Sequence, residues 1–175
     1  VFKKFLVLIV VPFFLYGGEL QLAQGSIQAH TEVFGDSSIE PYTEKIYATF
    51  TMEESVTSLR GEVFFHVLDF VSDKQSRDEN MHKAMEHKKY EKVVFTLHKL
   101  TQEEEKYDAI GVLALHGVQK QVTIPVTIEQ KDEQLTLNAT FSIKMSEYGI
   151  TPPALLFLTV RDEVDIRVNL QLQRR

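Results

Sequence analysis

Six histidines, an Arg-Asp pair ahead of a short apolar stripe, and a complete lack of cysteine set the chemistry open to this sequence. His82 and His87 stand five apart on a segment that reads as helix, roughly 140° around its axis. They cannot share a metal ion as an i, i+4 pair would. His30, His66, His98 and His116 fall on separate strand-like segments, so only convergence in space would make them a metal or acid–base cluster. Without cysteine there are no disulfides, thiolate zinc sites or thiol nucleophiles. Nor does the sequence hold a Gly-x-Ser-x-Gly elbow, a phosphate-cradling glycine loop or a dinucleotide fingerprint. The expectation is therefore a protein that is not an enzyme, with no catalytic residues, no metal and no cofactor. Arg77-Asp78 keeps two readings. The pair could orient a ligand's head group at the rim of a cavity, or serve as a helix-start carboxylate beside the helix dipole with an ion pair.

Charge narrows the partners. The formal net charge of the 175 residues is −6, and no basic stripe or Arg-rich helix offsets it, which argues against nucleic acid and against anionic membrane surfaces. Lys3 and Lys4 precede Phe5 to Tyr16, twelve uncharged and mostly apolar residues, and Gly17-Gly18 follows. That is the anatomy of a signal peptide over residues 1–17. The run is too short to cross a bilayer, which takes about 20 apolar residues, and it contains Pro12. Cleavage after Gly17 leaves seventeen basic against twenty-five acidic residues and a charge of −8. The expected product is one domain, residues 18–175, exported to the periplasm with no stable membrane anchor.

The elements that must position any site are strands. Glu163 to Gln173 places Val164, Ile166, Val168, Leu170 and Leu172 on one face and polar residues on the other, a period of two that no helix reproduces. Thr43 to Met52, Glu91 to Leu100, Gln121 to Glu129 and Leu135 to Met145 repeat the pattern. Leu20 to Phe34, Leu59 to Phe70 and Tyr107 to His116 are strand-like but irregular or apolar on both faces, which brings the count to eight. Short polar connections such as His116-Gly117-Val118-Gln119 and Gln130 to Gln134 favour antiparallel neighbours. Glu103-Glu104-Glu105 reads as a solvated turn. One helix is expected between the third and fourth strands, opened by a capping box at Ser76/Glu79 or Ser72/Gln75 and carrying Met81, Ala84 and Met85 as its apolar stripe. A shorter helical turn is expected after Pro152-Pro153.

Eight antiparallel strands with one apolar face form either a sandwich or a closed barrel. An eight-stranded barrel is just wide enough to be filled by side chains or to hold one small ligand. The inward sets mix aliphatics with Phe50, Phe95 and Phe141 and place no charge within the regular strands. An empty lumen of about 300 Å³ would cost roughly 7 kcal/mol as a cavity. The interior is therefore packed solid or occupied by something apolar. About a dozen buried tail carbons would contribute near 10 kcal/mol before association costs.

Several pieces in order resemble the YceI-like family of periplasmic lipid-binding proteins, also called the polyisoprenoid-binding family. They are Arg77-Asp78 with Met81-His82-Lys83 and Tyr90 to Phe95; Gly111 to Pro125; Lys144-Met145-Ser146-Glu147-Tyr148-Gly149-Ile150; and Val160 to Leu170. The match runs from about Gly25 to Leu172. Departures are Glu91, where proline is frequent in the family, and Lys144, where arginine is common. The resemblance implies an all-β, eight-stranded antiparallel lipocalin-like barrel that carries an isoprenoid or fatty-acid-like amphiphile, and it is compatible with a homodimer. It makes Phe50, Phe65, Phe95, Leu113, Ile124, Phe141 and Ile166 lining candidates and Arg77, Asp78, Met81 and His82 head-group candidates at the mouth. Two alternatives stay open: an outer-membrane-type barrel and a structural barrel without ligand.

Overall fold

A computed structural model describes residues 18–33, 37–155 and 158–174; the proposed signal peptide lies outside the described residues. The alternating segments form the strands β1 (Gly18–Val33), β2 (Tyr47–Met52), β3 (Arg60–His66), β4 (Lys92–Glu103), β5 (Lys106–Leu115), β6 (Val118–Lys131), β7 (Gln134–Lys144) and β8 (Glu163–Arg174). Each pairs antiparallel with the next, and β8 returns to β1 in a register that runs from Leu20↔Arg174 to His30↔Asp165. The result is a closed eight-stranded barrel. Ser37–Ile39 and Tyr42–Thr43 extend the pairing of β1 beyond the reach of β2.

Local chemistry sets the turns. His116 and Gly117 both have positive φ, 52° and 75°, and join Leu115 to Val118 as a two-residue hairpin, the type whose twist suits paired strands. Glu104 and Asp132, also at positive φ, turn β4 into β5 and β6 into β7. Bulges between Leu22 and Gln24 and between Leu97 and Lys99 shift the side-chain phase by one residue. They let Leu20 and Leu22, then Ile27 and Ala29, all turn inward, which is why β1 reads as irregular in the sequence.

Burial separates inside from outside, as alternation alone cannot. The apolar sets face in, while Glu163, Arg167 and Gln173 on β8 and Gln119, Gln121 and Thr127 on β6 are exposed on the outer face. A barrel embedded in lipid needs the opposite arrangement, so the outer-membrane alternative does not match this structure.

The helix α1 (Gln75–Ala84) lies between β3 and β4, as the spacing predicts, but neither capping box forms. Lys74 is the N-cap and makes no side-chain cap. Asp78 reaches back instead, accepting from the Ser72 backbone N–H at 2.8 Å and the Ser72 hydroxyl at 2.7 Å. Among the described residues no helical turn follows Pro152-Pro153: Ala154–Leu155 pairs with Leu158–Thr159 as a minimal ladder, and residues 156–157 of the expected turn lie outside the described residues. A tight turn occurs earlier, where the 3-10 roll Met145–Tyr148 ends β7 one residue short of the expected limit. Asp162 holds that roll by accepting from the Ser146 backbone N–H at 2.7 Å and from its hydroxyl. Those hydrogen bonds, hydroxyl first, hold the Asp162 carboxyl below the usual carboxylate range.

Packing is uneven along the barrel axis. At the base, where β1 begins and β8 ends, Leu20, Met52, Leu59, Leu100, Leu135, Leu170 and Leu172 are buried, with Leu59 and Leu172 at 0 % exposure. At the opposite end the inward residues Val93, Phe95, Val122, Phe141, Ile143, Val164 and Ile166 remain only partly buried. The barrel is therefore closed at its base, where side chains from β1, β2, β4, β7 and β8 meet together with Leu59.

Gly111 makes room for one of the mouth residues. A Cβ there would meet the Thr96 carbonyl oxygen at 2.2 Å and the Phe95 ring at 2.8 Å. Gly111→Ala is expected to lower stability by about 1–3 kcal/mol, measured by urea unfolding; an unchanged midpoint would contradict that packing. Ser146→Ala should raise the Asp162 carboxyl toward its ordinary value, followed by NMR titration. The clamp is fully made above that ordinary value, weakens as pH falls below it, and is gone once pH drops through the lowered native value.

Candidate functional site

The half of the barrel away from the base, where inward side chains stay less buried, is built from single residues contributed by successive strands. Phe65 on β3, Phe95 on β4, Leu113 on β5, Val122 on β6, Phe141 on β7 and Ile166 on β8 line it. The registers explain the meeting: Phe95 pairs with Leu113, and Ile166 with Phe141. Among the expected lining residues, Phe65 and Leu113 are buried, while Phe95, Phe141 and Ile166 are partly exposed. Phe50 and Ile124 are buried lower, at 3 % and 6 % exposure, and serve as floor. Gly61, opposite Phe50, has φ 154° and leaves no space for a Cβ beside that ring.

The four head-group candidates gather on α1 and what it touches. Met81 packs on the larger apolar cluster, and its neighbours Ala84 and Met85 pack on a smaller one formed by Leu113, Leu115, Tyr148 and Ile150. The helix thus lies across the mouth. His82 Nε2 lies 2.7 Å from the Phe70 carbonyl oxygen, which straps the helix to the segment after β3. Asp78, 8 % exposed, is occupied by Ser72. Arg77 donates to the Ser38 carbonyl at 3.1 Å and lies 3.9 Å from Asp73. These groups hold the lid in place, and Arg77, more exposed than Asp78, keeps a charged end at its edge.

The rings of His82 and His87 meet edge-on, 6.1 Å apart, while the strand histidines have separate partners. His30 faces Glu32 and Glu40, His66 lies edge-on to Tyr47 and Phe64, and His116 lies beneath Tyr90. His116 Nδ1 is 3.0 Å from the Tyr148 carbonyl, and its Nε2 is 2.8 Å from Glu86 but off the hydrogen-bonding line. No group of three or more candidate metal ligands occurs among the described residues.

One feature of the wall escapes the sequence pattern. β6 pairs with β5 over its first part, from Leu115↔Val118 to Tyr107↔Val126, and with β7 only over its last, from Val126↔Ala139 to Lys131↔Gln134. The ladder to β7 stops at Pro125, the residue with no N–H to donate. Beyond it the two strands part, and a cleft of about 380 Å³ opens, lined by Lys120, Gln121 and Val122 from β6 and by Ser142, Ile143 and Lys144 from β7, with Glu147, Tyr148 and Glu163 at its rim. Lys120 crosses the opening, 2.9 Å from Glu147 and 5.5 Å above the Tyr148 ring. Burial pushes the Tyr148 phenol up, with Glu147 adding to the effect. A second cleft, about 70 Å³, lies at the base between Leu20, Met52 and the β6–β7 turn. The sequence signal for the opening was a proline within an otherwise regular strand.

The fold has counterparts among solved structures. BcnA of Burkholderia cenocepacia is 20 % identical, with a TM-score of 0.75 over 84 % of this chain and 95 % of that one. A polyisoprenoid-binding domain from Saccharophagus degradans is 12 % identical, with a TM-score of 0.72 over 89 % of this chain and 98 % of that one. A YceI protein of Campylobacter jejuni is 17 % identical, with a TM-score of 0.68 over 81 % and 88 %. At those identities the likeness is one of fold. None of the curated proteins compared with the chain matches it. The sequence model of the YceI-like domain, however, matches residues 19–172, from the second residue of β1 to the third-last residue of β8. With nearly the whole barrel accounted for by one model, the chain belongs to the YceI-like family.

Proposed function

We propose that the chain is an exported carrier that holds the hydrocarbon tail of an isoprenoid or fatty-acid-like amphiphile in the mouth half of its barrel. The observation that carries this reading is the ring of inward apolar residues, Phe95, Val122, Phe141, Ile143 and Ile166, that the protein's own packing leaves partly exposed. Apolar surface of that kind gains about 25 cal/mol per Å² when a tail covers it. One relative of the same fold is described as a polyisoprenoid-binding domain, which supports the ligand class. The basic and apolar opening of the sequence, residues 1–17, supports a periplasmic destination. In this reading the protein binds and releases without altering its ligand, and it uses no cofactor or metal.

The ligand-free structural barrel remains the second reading, favoured by the solid base. One substitution separates the two. Ile166→Trp adds bulk inside the mouth half; a hollow accepts it, whereas a filled core loses about 1–3 kcal/mol to overpacking. The expected result is a melting temperature close to that of the parent, together with loss of binding of a fluorescent fatty acid, dansyl-undecanoic acid, that the parent takes up. A parent protein that gives no saturable fluorescence change, or a variant that melts well below it, would favour the structural barrel.

A further inference from the structure

Resting on the carrier reading, we propose that the seam between β6 and β7 is the port through which the tail of an amphiphile with an uncharged polar head enters the barrel, latched by the Lys120–Glu147 ion pair. Three observations lead there. First, α1 lies over the axial end, with Met81 on one apolar cluster and Ala84 and Met85 on the other. Second, the seam is a gap in the wall itself, since the β6–β7 ladder ends at Pro125 and about 380 Å³ of space follows. Its inner edges are Val122 and Ile143, and both belong to the apolar set that packs with the Leu113–Tyr148 cluster. A tail passing between them meets hydrocarbon from the rim inward.

Third, the rim is balanced in charge and rich in hydrogen-bonding groups. Lys120 and Lys144 stand against Glu147 and Glu163, with the neutral Gln121 and Ser142 between them. A phosphate or carboxylate head would find as much repulsion as attraction there, whereas an alcohol or amide would find donors and acceptors at no electrostatic cost. The Lys120–Glu147 contact is solvent-accessible on both partners, at 36 % and 51 % side-chain exposure. An exposed ion pair contributes little to stability, so it can open without unfolding the wall.

A port and a binding pocket differ in kinetics. Closing a port slows entry and exit by the same factor and leaves the dissociation constant unchanged, whereas altering the pocket changes the constant itself. The chain has no cysteine, so Gln121→Cys with Ser142→Cys provides two unique thiols on opposite sides of the seam. Bridging them with a reducible dithiol cross-linker should slow both association and release of dansyl-undecanol by about tenfold, with equal affinity and full recovery on reduction. Because each sample is its own control, a folding defect would show as failure to recover and would count against the port. Lys120→Met, which removes the latch, should speed both rates several-fold. Unaltered rates in the bridged protein, or a change in affinity without matched rates, would overturn the port while leaving the carrier reading intact. An unbridged protein that binds neither dansyl-undecanol nor the fatty-acid probe would overturn the carrier reading and the port with it.

Discussion

A β-sheet with one apolar face must cover that face, and here the sheet covers it with itself because β1 and β8 meet edge to edge. The pairing of the first strand with the last satisfies two backbone edges at once and decides which face of every other strand is inside. Two bulges are needed to keep that decision consistent, since without them the side chains of β1 below Leu22 and of β4 beyond Leu97 would turn outward. Closure also leaves little tolerance for a missing donor. Pro125 sits within β6 and keeps its partnership with Asp108 on β5, but the ladder to β7 ends there. One residue type thus converts a sealed cylinder into a cylinder with a slot.

The same closure explains why only half of the barrel is filled. At the base, leucines from β1, β4, β7 and β8 project to the axis and meet. Toward the mouth the wall carries Gly111 beside Phe95, and the β6–β7 seam removes neighbours from Val122 and Ile143. Side chains there have partners on one side only. Such a surface is an incomplete core, which a hydrocarbon tail would complete without asking for any hydrogen bond. A few polar contacts, Asp78 to Ser72 and His82 to the Phe70 carbonyl, fix α1 against the apolar clusters that Met81, Ala84 and Met85 pack on.

The strands and their order were legible in the sequence because period-two alternation is a local property, and Glu163 to Gln173 displays it without interruption. The turn at His116-Gly117 was legible for the same reason. The base filling was not, because alternation states which way Leu59 or Leu172 points and nothing about how far the opposite wall lies. The helix was found from Met81, Ala84 and Met85, yet its start was misread: Asp78 serves Ser72 from inside the helix, a tertiary choice that no cap pattern encodes. Pro152-Pro153 suggested a helical turn, but the backbone there pairs with itself across two residues. Of the site, the lining residues Phe95, Phe141 and Ile166 could be named from alternation and resemblance. The seam could not, since Pro125 breaks a ladder only in relation to the partner strand it faces.

In the carrier reading, the apolar mouth of the barrel holds a hydrocarbon tail. Native mass spectrometry of the full-length protein, purified from its own host without organic solvent, measures this. The predicted spectrum shows the chain together with an additional neutral species that dissociates at raised collision energy and disappears after solvent extraction. A spectrum of the bare chain alone, identical before and after extraction, would contradict it.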